Sequence, residues 1–306
     1  MNWEQACRLL RFGRSEGIPR SKDGLAAPSP SRDLLGVARA ASVCVASGKG
    51  GTGKSVMTAS LASKFSAVGR SLILDADMGI GNAHILQGVS PERSFVELVA
   101  GTAGPREIVS RCSATLDLIA AGSGVSNMAE LSTFELHRIA EAVEQLETEY
   151  QYMLVDSAAG ISNQTVTFAA AADVVLVVTT PAVTAMTDAY AFLKVLYRCR
   201  PDSAPLLVVN RAHHEDEAHS VAQRIEKVCG RFLDRHPRWI GWVPTDDAVI
   251  ESVNARTSVV EHNPNAPAAR ALDHIASVVL DELGSLRARG LGRSLMSRVV
   301  RTSKLA

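Results

Sequence analysis

Paired cysteines are missing from this sequence. Its five cysteines, Cys7, Cys44, Cys112, Cys199 and Cys229, lie far apart and no C-x-x-C occurs. That excludes the usual zinc and iron–sulfur spacings. A dispersed, odd set suits a reducing compartment, with the thiols as small core or surface groups. Long apolar runs are missing too: none approaches the ~20 residues that cross a bilayer. The opening stretch, MNWEQACRLLRFGRSEG, lacks the apolar core of a secretory signal. The expected location is the cytoplasm. Aromatics are scarce at 5%, yet a hydrophobic content of 46% is enough for a sizeable core. Net charge is absent as well, with 32 basic side chains against 32 acidic. The whole-chain charge therefore points to no polyanion, and no nucleic acid partner is expected. The balance hides an asymmetry. From Ser285 onward there are six basic residues (Arg287, Arg289, Arg293, Arg298, Arg301, Lys304) and no acid, which leaves the remainder net acidic by six.

Composition divides the 306 residues into four stretches. Residues 1–12 read as a short helix with Trp3, Ala6, Leu9 and Leu10 on one face. Residues 13–41 are rich in Gly, Pro, Ser and charge, a linker with no means of burying a core. Residues 42–284 are the globular domain, and 285–306 are a basic tail. Strands are expected at 42–47, 71–76, 116–121, 152–157, 174–180, 205–210 and 238–243. Several are near-continuous apolar runs, the mark of strands covered on both faces. Helices are expected at 54–68, 132–149, 183–198, 215–233 and 266–284. This alternation predicts an α/β fold, a mostly parallel sheet with helices on both faces.

The stretch GKGGTGKS, Gly48 to Ser55, fits G-x-x-x-x-G-K-[ST] and runs from an expected strand into an expected helix. That is the context of a P-loop. Gly48, Gly50, Gly51 and Gly53 let backbone N–H groups, with those of Thr52 and Val56, converge on phosphate oxygens. The following helix turns its N-terminal amides to the same anion. Lys54 is placed to reach the β- and γ-phosphates and Ser55 to ligate Mg²⁺. The expected ligands are therefore ATP and Mg²⁺. Lys49 is a second cation at the same loop, beyond what the motif requires.

Acids follow at two strand ends. ILDADMG places Asp75 and Asp77 at one, and LVDSAAG places Asp156 at another. In open α/β sheets ligands bind at the carboxyl ends of strands, so these carboxylates are candidates to meet the Mg²⁺–phosphate group. Asp156 is placed like a Walker-B acid that holds the metal. Asp77 is a candidate for positioning the attacking water. Asp75, nearer the strand, is assigned to the metal shell or to the local turn. An isolated Asp at a strand end otherwise serves as a cap or turn residue.

In this order GKGGTGKS, LDADMGIGNAH, VDSAAGIS and VVNR resemble the deviant Walker ATPases of the MinD/ParA class, over about residues 42–284. VVLVVTTPAVTAMTDAYAFLKVL is similar to the corresponding segment of the FlhG (YlxH) flagellar-number regulators. The resemblance implies that Lys49 reaches across a two-fold interface to the partner's nucleotide, in an ATP-dependent homodimer. It implies catalytic roles for Lys49, Lys54 and Asp77, a base contact from Asn210 with Arg211 beside it, and closure over the base by a loop at Pro244 and Asp246. ATP hydrolysis is expected to be slow, because a switch needs lifetime rather than flux. One departure is His84, where the family often has an acid; Asn82 is retained.

Both ends carry further signals. In GLGRSLMSRVVRTSKL, Leu291, Leu295, Met296, Val299 and Val300 fall at helical spacing among basic residues. Such a helix lies in a membrane interface or packs on a core, since amphipathicity serves both. MinD and FlhG proteins have a similar membrane-targeting helix, so a peripheral site on the inner face of the membrane is expected when ATP is bound. EQACRLLR resembles the D-Q-A-x-x-L-R segment by which FlhG proteins stimulate the GTPase FlhF. Gln5, Ala6 and Leu9 match, Glu4 replaces Asp, Leu10 stands where Arg is expected, and Arg11 is one place late. Partners implied are thus an FlhF-type GTPase, membrane lipid and flagellar basal-body proteins. The alternatives are a MinD- or ParA-type ATPase that positions division or DNA, a metabolic or metal-carrier enzyme on the same fold, and a nucleotide-gated adaptor with little hydrolysis.

Overall fold

The computed structural model describes residues 39–78, 81–122, 132–288 and 294–303. The segment 1–12, the linker up to residue 38, and Leu291, Arg289, Arg293 and Lys304 of the tail lie outside the described residues.

Seven consecutive buried residues, ASVCVAS, form strand β1 (Ala41–Ser47). A strand covered on both faces belongs inside a sheet. The other strands are β2 (Ser71–Ala76), β3 (Val109–Arg111), β4 (Leu116–Ile119), β5 (Tyr152–Ala159), β6 (Val174–Thr179), β7 (Leu206–Ala212) and β8 (Arg238–Pro244). They form one sheet in the order β3-β4-β2-β5-β1-β6-β7-β8. Among the described residues, only β3 and β4 pair antiparallel. The helices are α1 (Lys54–Ser66), α2 (Phe95–Ala100), α3 (Thr133–Leu146), α4 (Asn163–Ala171), α5 (Val183–Cys199), α6 (Glu215–Leu233), α7 (Asp247–Asn254), α8 (Val259–His262), α9 (Pro267–Ala288) and α10 (Leu295–Ser303).

Alternate strand residues point to opposite faces, and two cores result. Leu72, Leu74, Val155 and Val177 face a core shared with α3, α4, α5 and α6. Val43, Val45, Ile73 and Leu154 face a second core filled from α1 and α9 by Leu61, Phe65, Leu272 and Ile275. All seven expected strands and all five expected helices are present. The sheet is mostly parallel with helices on both faces, as the alternation predicted.

The sequence reading did not anticipate β3, α2, α4, α7 or α8. β3 has three residues, too few for a pattern. α2 has six, and its local signal was the reciprocal capping box of Ser94 and Glu97. α4 is buried almost all round, so it lacks the polar face that periodicity detects.

The basic tail was expected to begin after Gly284; α9 runs on past that point to Ala288. The tail helix α10 then packs on α3 and α4. Leu295, Met296 and Val299 are at most 1% exposed and join the first core. Of the two readings of the amphipathic tail, the described conformation is the core-packed one. Polar contacts hold its start. Glu147 accepts from Ser294 Oγ at 3.1 Å and from the Met296 N–H at 3.2 Å, and pairs with Arg39 at 3.3 Å. Burial raises the Glu147 pKa, opposed by those donors and by Arg39. One turn on, Arg298 pairs with Asp173 at 2.8 Å. The Asp173 carboxylate also accepts from the N–H and hydroxyl of Ser42 at 2.8 Å each. This ties the tail to the start of β1.

Met296→Ala empties a fully buried site and is expected to cost about 2–5 kcal/mol of stability, read from urea unfolding of the full chain. A midpoint equal to that of the parent would mean that the tail is not seated in solution.

Candidate nucleotide site

The loop between β1 and α1 is shaped from its two flanks. Gly51 and Gly53 have φ of 75° and 93°, the left-handed region that favours glycine. A Cβ at Gly53 would overlap the Asn210 amide, and a Cβ at Gly48 would overlap the backbone carbonyl of Asp188 on α5. The loop is thus wedged between the end of β7 and the side of α5. Within it, the Ser47 hydroxyl donates to the Lys49 carbonyl at 2.6 Å.

Behind the loop, β1, β5 and β2 bring the acids together. Asp156 is the register partner of Val45 on one side and of Asp75 on the other. Asp156 is 1% exposed and accepts from Thr58 Oγ1 at 3.2 Å and from the Ser55 hydroxyl. Burial lifts its pKa to about 6, opposed by Ser55, Lys54 and Thr58. Lys54 is 8% exposed. Burial lowers its pKa, opposed by Asp156 and then Asp77. Asp75 is fully buried, and burial followed by the Asp156 charge raises its pKa to about 8. Its Oδ1 accepts from the Asp77 N–H at 3.2 Å and its Oδ2 from the Ala83 N–H at 3.1 Å.

These residues fit Mg²⁺, which takes one or two protein oxygens and keeps water and phosphate for the rest. The Ser55 hydroxyl and the Asp156 carboxylate, already bonded to each other beside Lys54, are the donors. Asp75 lies next to them with both oxygens engaged on backbone. Among the described residues no group of three His, Cys, Asp or Glu side chains forms a ready-made metal cage.

Lys49 takes a separate position. Its Nζ donates to Thr184 Oγ1, in the first turn of α5, at 2.6 Å. It lines a cavity of about 350 Å³ on the outer side of the loop with Gly50, Thr52, Pro181, Arg211 and Glu217. Lys54, Ser55 and Asp156 do not line that cavity. The two lysines therefore face different spaces, one inward to the acids and one outward.

The expected base contacts are brought together by β7–β8 pairing, which sets Asn210 opposite Val243 and Ala212 opposite Pro244. Asn210 is not free, however. Its Nδ2 donates to the Thr52 carbonyl at 2.7 Å, and its Oδ1 accepts from the Arg211 N–H at 2.9 Å. Asn210 braces the P-loop from a strand 158 residues away in sequence. Arg211 sits at φ 57°. Asp246 is a structural cap, with one oxygen on the Ala248 N–H and the other on the Ala268 N–H. His84 precedes a 3₁₀ turn, its Nδ1 is buried with no hydrogen-bond partner among the described residues, and burial lowers its pKa. The sequence reading missed Thr58 and Thr184. Thr58 carried a weak signal, since it lies one helical turn after Lys54. Thr184 carried none.

Asn210→Ala removes the brace. It is expected to weaken nucleotide binding at least tenfold while costing only about 1 kcal/mol of stability, the worth of one hydrogen bond. Equilibrium binding of a fluorescent ATP analogue beside thermal unfolding checks this. Unchanged affinity would remove Asn210 from the site.

Known proteins resemble this chain in sequence and in fold. The ParA family model, described as NUBPL iron-transfer P-loop NTPase, matches residues 39–280. The antiactivator FleN of Pseudomonas aeruginosa is 31% identical over 238 residues, 78% of this chain and 85% of that protein. The flagellum site-determining protein YlxH of Helicobacter pylori is 28% identical over 249 residues, covering 79% and 82%. Among solved structures, the septum site-determining protein MinD of Pyrococcus horikoshii, complexed with Mg-ADP, matches with a TM-score of 0.68 at 20% identity, over 81% of this chain and 98% of that one. That last likeness bears on fold alone. With the P-loop, the acids at the ends of β2 and β5 and the second lysine at one sheet edge, the chain belongs to the ParA family of P-loop NTPases, in its MinD/ParA class.

Proposed function

We propose that this protein is an ATP-dependent dimerising switch that regulates flagellar number or placement, acting with an FlhF-type GTPase at the membrane. The observation that carries this reading is the outward position of Lys49. A P-loop that served its own chain alone would need only Lys54. Lys49 instead lines a cavity with Thr52, Pro181 and Arg211, away from the buried Lys54–Asp156 pair, and donates to the exposed hydroxyl of Thr184. The names of the relatives FleN and YlxH support the flagellar assignment.

In this reading Lys54 and the backbone amides of Gly48 to Val56 hold the triphosphate. Ser55 and Asp156 would hold Mg²⁺, which neutralises phosphate charge. Asp77 positions the attacking water. Asn210, Arg211 and Pro244 border the base, with the Asn210 amide exchanging a backbone partner for it. Lys49 leaves Thr184 and crosses to the nucleotide of a second copy. Pairing brings two tails together, and paired weak anchors multiply in effect. Undocking of α10 would present Leu295, Met296 and Val299, with the flanking basic residues, to anionic lipid. At the other end, Gln5 would orient water in the GTPase partner, as glutamines do in GTPases. Basal-body proteins are the expected site of output.

Lys49→Ala is expected to keep ATP binding within about threefold and to lose ATP-dependent pairing, whereas Asp77→Ala pairs with ATP and hydrolyses it at least tenfold more slowly. Light scattering coupled to size exclusion, with and without Mg-ATP, reads both. An Asp77→Ala protein that stays monomeric with ATP sinks the switch, and normal flagellation after deletion of the gene sinks the flagellar role.

Asp173→Asn breaks the ion pair with Arg298 but leaves an amide oxygen for Ser42. It is expected to raise flotation with anionic vesicles in the absence of ATP, and removal of residues 285–306 to abolish flotation under all conditions. If flotation is the same in all three proteins, the tail is not the anchor.

A further inference from the structure

Asp75 is a carboxyl group with no exposure to solvent, at the carboxyl end of β2 and beside Asp156 in register. Burying such a group next to another acid is costly, so something must use it. Its two oxygens are divided between two backbone N–H groups that are six residues apart, Asp77 on Oδ1 and Ala83 on Oδ2. The chain therefore leaves β2, departs and returns to the same carboxylate. Gly81 closes the arrangement: a Cβ there would overlap Oδ1, Cγ and Oδ2 of Asp75 together. Only a residue without a side chain lets the returning backbone lie flat on the carboxyl group.

We propose that Asp75 is a positioning residue, a clasp that holds the backbone at Asp77 and at Gly81 to Ala83 onto the end of β2 and so sets the direction of Asp77. Metal ligation falls to Ser55 and Asp156. The inference rests on the assignment of Asp77 to the attacking water, but the clasp itself has a readout that does not depend on it. A carboxylate bonded to two amides at once shields both from exchange, and a metal ligand at the same position has no reason to shield Ala83.

Two variants of the full-length protein address the clasp from its two sides. Asp75→Asn keeps one acceptor oxygen and loses the other. Gly81→Ala leaves every acid in place and pushes the backbone off the carboxylate. Hydrogen–deuterium exchange is expected to speed up at least tenfold at one of the two amides, Asp77 or Ala83, in Asp75→Asn and at both in Gly81→Ala. In single-turnover assays both are expected to hydrolyse ATP at least tenfold more slowly, with the Mg²⁺ concentration for half-maximal ATP-analogue binding unchanged within twofold. The double variant is expected to be no slower than the worse single one, since both break one unit. Unchanged exchange in either variant overturns the clasp. So does a tenfold rise in the Mg²⁺ requirement confined to Asp75→Asn, which would make Asp75 a metal ligand. Asp77→Ala is run in parallel. Normal hydrolysis in that variant would overturn the role of Asp77 and the proposed function, while the amide exchange still decides whether the clasp exists.

Discussion

Lys54 and Asp156 are opposite charges taken almost wholly out of water, and the rest of the site is arranged around that fact. Each alone would be expensive to bury. Burial pushes the lysine down and the aspartate up, and each opposes the shift of the other. Two hydroxyls, Ser55 and Thr58, take up the remaining demand of the carboxylate. The ammonium is held inward in this way at the first residue of α1. Both hydroxyls come from the same helix, so the end of β5 and the start of α1 cannot shift independently.

The order of the strands follows the same need. β1 lies between β5 and β6, and β2 lies beyond β5, so the loop and the acids of two strands emerge at one edge. On the far side β7 reaches back through Asn210 to the loop, and α5 meets Gly48 backbone to backbone. Contacts from β5, β7 and α5 thus meet the loop that joins β1 to α1. The opposite edge has another use. There Asp173 and Ser42, at the starts of β6 and β1, receive Arg298 from the tail. A single strand, β1, carries the P-loop at one end and part of the tail's seat at the other.

The strands were legible because they are apolar on both faces, and the longer helices because their apolar residues recur at 3.6. Elements too short or too evenly buried for a period, such as β3 and α4, were not. The P-loop was legible because its chemistry is local: glycines, a lysine and a serine within eight residues. Asp77 and Asp156 were legible as acids at strand ends. Asp75 could be read only as an acid of uncertain duty, since nothing in LDADMG says that Ala83 returns to it. The tail illustrates the same limit. Its amphipathic stripe was plain, but a stripe does not name its cover.

Residues near one another in the chain settled what kind of site this is: a phosphate loop with a second lysine, on an α/β scaffold. Contacts between distant residues settled how it is held. Asn210 on Thr52, Thr184 on Lys49 and Glu147 on the start of α10 join positions more than a hundred residues apart. Such pairings depend on where the sheet and helices bring the backbone. A hydrogen-bonding side chain has the same local character whichever partner it finds, and only packing selects the partner.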